Sequence, residues 1–409
     1  YFFCKNRVYA CFMVPSSQRF DNLFSWMGEQ QAIELLSQNV STLDNPGIKY
    51  IAATRLGACS SRDSLDALVV AATGDRDNIF DSITRRKSIE ALGRRRDLST
   101  LPTIYEAMHS SDEQTIVNSV DTLIHFGIPL DAQFKSSLLK IIQNGSDVLK
   151  RVAIQCFTRL EMHEFNGIIR EQESNPNILV NGASIAYSIR VEDDKRKLHI
   201  LENHLNDLNV IHRRSSVIDI GDAGDPSLLS SISKAAVSMP LRAKSAFKMT
   251  SKIKTKSQRT LINQMLKDDS RHLYFTQKFD APNDLEKVCD FLKHRDEERQ
   301  YFGAKALFSW PASTVTDAIK TIWDNHGSDY GVHYQVNCLV SQLGLTELSY
   351  IIKESLLEPA PQYAKSKIAA TWGCLNLGLL ECRADIENLL MTSTWEPLRW
   401  TCAEVLRKL

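Results

Sequence analysis

Between residues 323 and 338 the chain reads WDNHGSDYGVHYQVNC, a stretch that gathers Trp323, His326, Asp329, Tyr330, His333, Tyr334 and Cys338. Histidine, tyrosine and cysteine can each take a proton from one atom and return it to another. His333, Tyr330 and Cys338, with Asp329 beside them, are therefore candidates for general acid–base catalysis. The stretch reads as a turn entering a helix, and such turns are where ligand-contacting residues gather.

Other kinds of chemistry are absent from the sequence. There is no phosphate-binding glycine loop, no GxSxG elbow and no HExxH zinc pattern. The cysteines stand at 4, 11, 59, 156, 289, 338, 374, 382 and 402, with no CxxC pair and no histidine at zinc-ligand spacing, so no metal site is expected. Cys59, Cys156 and Cys374 fall on apolar helical faces and read as core thiols in a reducing cytoplasm. Lysine plus arginine (49) balance aspartate plus glutamate (49), which leaves no net field to draw the chain to nucleic acid or to an anionic membrane. Lys5 and Arg7 break the apolar start before a signal-peptide core can form, and no apolar run approaches the ~20 residues of a membrane span. A cytoplasmic chain is expected. Met13 is a candidate start, with residues 1–18 read as a poorly ordered extension.

The elements that must position these residues announce themselves by repetition. SIEAL around Ser88, NSVDTLIHFG around Ser119, RVAIQCFTRL around Ala153, ASIAYSI around Ser184 and RRSSVIDIGDAGDP around Ser216 share a small residue and one apolar spacing. Their anchors are 31, 34, 31 and 32 residues apart, and Ala52 stands 36 residues before Ser88. Later anchors at Gly303, Gln335, Ile368 and Cys402 follow at steps of 32, 33 and 34. A second apolar-periodic stretch lies between successive anchors, so each unit is a pair of short helices. Such a hairpin cannot bury its apolar face alone and stacks on its neighbours, with the small anchor marking a close backbone approach. The expected fold is all-α, a helical-hairpin solenoid (α/α superhelix) of about ten repeats of roughly 32 residues. Two continuous halves are expected, 19–260 and 261–409, because the register falters between 240 and 300. There RAKSAFKMTSKIKTKSQR (242–259) carries seven basic residues and no acid, and reads as a solvated face. Gly93, Gly221 and Gly373 are expected to end their helices. Asp225 and Pro226 should start the next one. Arg86, Arg151 and Arg214 each stand two residues before an anchor, a ladder suited to pairing with an acid of the adjoining repeat. His333 occupies the same column.

The Arg-led repeat, RRKSIEALG and RRSSVIDIGDAGDP, resembles the short HEAT-like repeat of the cyanobacterial phycobilin lyases of the E/F class. RFDNLFSWMGEQQAIELL (19–36), followed by AATRLGACSSRDSLDALVVAA, resembles the N-terminal region of single-chain lyases and lyase-isomerases that act on phycoerythrin α subunits. The resemblance spans most of the chain from about residue 19 to 409. It implies a protein that binds phycoerythrobilin and delivers it to a cysteine of a phycobilisome antenna subunit, with the acceptor thiol supplied by that subunit.

Catalysis of this kind is by positioning, which suits a chain without a catalytic motif. A tetrapyrrole diacid calls for cations at its propionates, a carboxylate at its pyrrole N–H groups and aromatic walls at its rings. His212, Arg213 and Arg214, with Asp219 and Asp222 downstream, offer both charges at one repeat, and Trp323, Tyr334 and Trp310 are candidate walls. Trp310, Trp372 and Trp395 equally suit packing between repeats. Isomerisation of the pigment to phycourobilin would fall to the His333, Tyr330 and Cys338 cluster, although the His-Cys dipeptide of a related lyase-isomerase is absent from this chain. On periodicity alone, a non-enzymatic adaptor or an assembly chaperone for phycobiliproteins stays open beside the lyase.

Overall fold

The computed structural model describes residues 24–74 and 78–409. The extension expected over 1–18, and residues 19–23 of the N-terminal block, lie outside them. Among the described residues there are 23 α-helices joined by short turns and 3-10 segments. The only extended pairing among them is a single bridge between Ala235 and Tyr274. The all-helical hairpin architecture read from the repeats is therefore the one found. The chain divides into two compact units, the first ending at Ile169 and the second running from Arg170 to Leu409.

In the first unit the helices Ile48–Leu56, Ile79–Arg95, Glu113–Phe126 and Asp147–Arg159 pack each on the next. They carry the anchors Ala52, Ser88, Ser119 and Ala153, all buried. In the second unit Ile178–Val191, Val210–Ala223 and Met239–Phe247 stack in the same way, and Tyr330–Leu343, Ala364–Asn376 and Glu396–Leu406 form another run. A buried serine costs little here because its hydroxyl donates to the carbonyl four residues back. Ser88 reaches Thr84 O at 2.9 Å, Ser119 reaches Thr115 O at 2.7 Å and Ser184 reaches Val180 O at 2.9 Å. The side chain is thus small and satisfied, which lets neighbouring helices close on it.

Three glycines do something other than end helices. Gly93, Gly221 and Gly373 lie inside the helices Ile79–Arg95, Val210–Ala223 and Ala364–Asn376. A Cβ at Gly221 would stand 2.8 Å from Ser245 Cα, and one at Gly93 would stand 2.9 Å from Thr122 Cγ2. Their reason is helix-to-helix approach. The left-handed terminal positions fall on Arg96 (φ 53°) and Gly224 (φ 66°) instead. Asp225 does cap the short turn Pro226–Leu228, its carboxylate accepting from Ser227 N at 2.9 Å.

The arginine ladder is structural where Arg86 shows it. Its Nε and Nη2 reach the Asp112 carboxylate at 2.8 and 2.6 Å, and Asp112 caps the next repeat's helix. The Arg86 hydrogen bonds hold the Asp112 carboxyl down at about 2. The basic stretch 242–259 is less of a solvated face than its composition suggested. Lys248 reaches Asp222 at 2.5 Å, Lys252 reaches Gly224 O at 3.1 Å, Arg259 reaches Glu404 at 3.0 Å, and Arg242 is fully buried. Lys244, Lys254 and Lys256 are exposed. The acids that neutralise the stretch come from distant sequence, which a window of 18 residues could not reveal.

Candidate functional site

Val210–Ala223 sets the His212 constellation. Arg213 is 1% exposed; its Nη2 lies 3.0 Å from both Asp296 Oδ1 and Glu298 Oε2, and its Nη1 donates to the Asp207 and Leu208 carbonyls at 2.9 Å. Arg214 reaches Glu297 at 2.7 Å, and His212 Nδ1 lies 3.2 Å from Asp207. Asp222 takes the Lys248 ammonium. Asp219 is buried against Gly182, where an added Cβ would stand 2.5 Å from its Oδ2. As placed, the two guanidinium groups are already matched by carboxylates 83 residues further along the chain, and the geometry favours a clasp between distant segments of this unit over a bare cationic surface.

Tyr330–Leu343 distributes the second cluster over different environments. Asp329 caps the helix, accepting from Gly331 N and Val332 N at 2.8 and 2.9 Å. Tyr330 is exposed (60%). His333, one turn on, is buried between Trp323 and Tyr363, with ring centres 4.7 and 4.4 Å away. Its Nδ1 lies 2.9 Å from Ser366 Oγ and its Nε2 lies 3.4 Å from Ser355 Oγ. Cys338 is buried deeper, and burial pushes its thiol well above the usual range. Trp310 packs at the edge of the core. So His333 meets Trp323 directly, whereas Tyr330 and Cys338 sit at opposite extremes of exposure.

Burial lowers the His333 imidazole from 6.5 to about 4. Its folded value lies below its unfolded one, so protonation favours the unfolded chain. This group's contribution is complete above pH 6.5 and falls away between pH 6.5 and 4. A loss of up to about 3 kcal/mol is expected over that window. Urea unfolding of wild type and His333→Gln at several pH values checks it: the difference between the two should shrink as pH falls through this range.

The third constellation was not singled out from sequence. Helix Lys256–Lys267 ends at Asp268, which adopts φ 51°, a left-handed conformation uncommon for a non-glycine residue. Its buried carboxylate accepts from Arg242 Nη2, from Tyr301 OH at 2.7 Å and from Tyr334 OH at 2.6 Å. Arg242 also donates to the Val237 and Ser233 carbonyls at 2.9 and 2.8 Å. Burial holds both phenols well above their ordinary value. Tyr334, a candidate ring wall by sequence, is thus a donor to a buried acid.

Two cavities adjoin this network. One, of about 220 Å³, is lined by Arg242, Asp268, Lys234, Leu273 and Tyr274. The other, of about 300 Å³, is lined by Lys267, Arg271, Ser341, Trp372 and Asn376. Gln264, Asp269 and His272 belong to both. Burial acts to raise the Asp269 carboxyl, but hydrogen bonds from Arg271 override it and hold the group below its usual value. Arg271 Nη2 lies 2.6 Å from Asp269 Oδ2, and its guanidinium stands 4.2 Å from the Phe308 ring centre. Lysine, arginine, histidine, carboxylate and indole groups thus converge within a few residues of KDDSRHLY, 267–274. The faltering repeat register between 240 and 300 was the sequence signal for it, since a repeat that abandons its pattern has been given another task. Among the described residues no cluster of side chains suits a metal ion.

No protein-family model matches the chain. It is 25% identical to the uncharacterized phycocyanin operon protein Y of Pseudanabaena tenuis (strain PCC 7409), over 93% of this chain and 91% of that one. It is 22% identical to the bilin biosynthesis protein CpeY of Synechococcus sp. (strain WH8020), over 70% of this chain and 71% of that protein. Among solved structures, the complex of CpcE and CpcF of phycocyanin lyase from Nostoc sp. PCC7120 aligns with 58% of this chain and 93% of that chain, at 16% identity and a TM-score of 0.49. The similarity to these two relatives runs across most of the chain, as the resemblance read from the sequence does.

Proposed function

We propose that this protein is a bilin lyase, which holds an open-chain tetrapyrrole and presents it to a cysteine of a phycobiliprotein subunit. One observation carries the reading: two adjoining cavities bring cations, a carboxylate and aromatic side chains to a single segment, the set that a diacid with pyrrole N–H groups requires. The name of one relative, a bilin biosynthesis protein, supports the same class of ligand. Phycoerythrobilin is the proposed pigment and a phycoerythrin α subunit the proposed acceptor. In the transfer, the acceptor's S–H adds across the ring A ethylidene; a C–S bond forms, the thiol proton ends on ring carbon, and nothing is oxidised or reduced. The protein's share is to fix the pigment's shape and its distance from the sulfur.

Attachment is better supported than isomerisation. A proton shuttle needs its groups on one face, and His333 is buried and neutral at ordinary pH while Tyr330 is exposed. The finer reading assigns isomerisation to them nonetheless in a testable form: His333→Ala and Tyr330→Ala should retain attachment and lose any phycourobilin product, read from the absorption of the labelled acceptor.

Mixing the purified protein with phycoerythrobilin should shift and sharpen the pigment's visible absorption at equimolar protein. An unchanged spectrum would count against the lyase and leave a colourless adaptor as the better description.

A further inference from the structure

We propose that the cavity closed by Lys267 and Trp372 is a carboxylate-binding subsite, built to take one propionate of the bilin. The proposal rests on the bilin-lyase reading for the identity of its ligand, and on the geometry below for its chemistry.

Three features of the cavity point to an anion. Trp372 is 2% exposed, and its indole N–H, buried, has no hydrogen-bond partner among the described residues. A buried donor left without a partner costs about 1–3 kcal/mol, so such a group calls for an acceptor that occupies the site when it functions. Lys267 stands beside it, its ammonium 5.0 Å from the centre of the Trp372 ring. Lys267 is exposed at the rim of the cavity, where partial desolvation and repulsion from Lys408 lower its ammonium below its ordinary value. It forms no ion pair among the described residues, although acids are plentiful in this unit. Arg271 is the other cation at the wall, His272 lies beside it, and Asp269 is the one carboxylate. That carboxylate is taken up by Arg271, with Nε at 2.9 Å and Nη2 at 2.6 Å. Lys267 is left at the cavity rim as a cation without an ion-pair partner among the described residues.

Two amides of the wall are turned to backbone or hydroxyl partners. Gln342 Nε2 donates to Lys267 O at 2.8 Å and Asn376 Nδ2 donates to Ser341 Oγ at 3.0 Å. Gln342 therefore holds the C-terminal turn of the helix that carries Lys267. An entering carboxylate would meet the Lys267 ammonium, and a small shift of the wall would uncover the buried indole N–H as a second donor. At about 300 Å³ the cavity suits an acid-bearing arm, with the rings extending past Asp269 and His272 toward Tyr274 in the adjoining space.

The test compares phycoerythrobilin with its dimethyl ester by absorption titration of the full chain, in wild type, Lys267→Met and Trp372→Phe. Lys267→Met keeps the side-chain length and stacking while removing the charge; unfolding midpoints of each variant establish that it folds. Wild type should bind the diacid more tightly than the ester. Each variant should lose about 10-fold or more in affinity for the diacid and little for the ester. Undiminished diacid binding by Lys267→Met, or an equal loss for both forms, overturns the subsite while leaving the lyase reading intact. Should wild type bind neither form, the lyase reading fails first, and inorganic phosphate then judges the cavity alone. A saturable fluorescence change present in wild type and absent from Lys267→Met retains an oxyanion site, and no change in wild type removes it.

Discussion

Asp268→Ala should destabilise the protein by about 3–5 kcal/mol, because it strands a buried cation. Arg242 is fully buried, and Asp268 is its carboxylate partner. Two phenols, Tyr301 and Tyr334, lose their acceptor in the same change. Alanine also tolerates the left-handed backbone at residue 268 poorly. Asp268→Asn keeps an acceptor oxygen and a side chain at ease in that conformation, and should cost clearly less. Urea unfolding of both variants measures the difference. A cost below about 1 kcal/mol for Asp268→Ala would mean that the network is not the buried clasp described.

Arg213→Ala should have an effect of the same order, about 3–5 kcal/mol, for the opposite charge. It leaves Glu298, whose side chain is wholly buried, and Asp296 without their cation, and it frees the Asp207 and Leu208 carbonyls. Thr276 and Gln277 still donate to Glu298, so the acid keeps hydrogen bonds but not a counter-charge. Arg214 is the internal control. Its side chain is 37% exposed, while that of its partner Glu297 is 15% exposed, so Arg214→Ala should cost clearly less than Arg213→Ala. If the adjacent arginines cost the same, burial does not separate their roles.

The repeats were legible because their cause is local. A small residue every thirty-odd positions, with apolar residues at helical spacing, states where two helices must approach, and the buried anchors Ser88, Ser119 and Ser184 stand where that spacing put them. Helix ends were less legible. Gly93 and Gly221 looked like terminators because glycine serves both a left-handed cap and a tight crossing, and only the neighbouring helix tells which. Charge partners were hidden for a different reason. Arg213 and Arg242 find their acids 83 and 26 residues away, a separation set by how the second unit packs and not by any motif. For the same reason the 323–338 cluster, so dense in sequence, separates into a helix cap, an exposed phenol, a buried imidazole and a buried thiol. The cavity segment 267–274 was passed over, since its residues are ordinary one by one and acquire meaning only beside Trp372, Ser341 and Asn376.

Mass spectrometry of an acceptor bears most directly on the claim that this protein transfers a bilin. A phycoerythrin α subunit incubated with phycoerythrobilin and the protein should gain the mass of one intact bilin on a cysteine, at a yield well above that of the same mixture without the protein and with the absorption of a bound, extended pigment. Equal yields with and without the protein, at a concentration where it binds the subunit, would contradict the account.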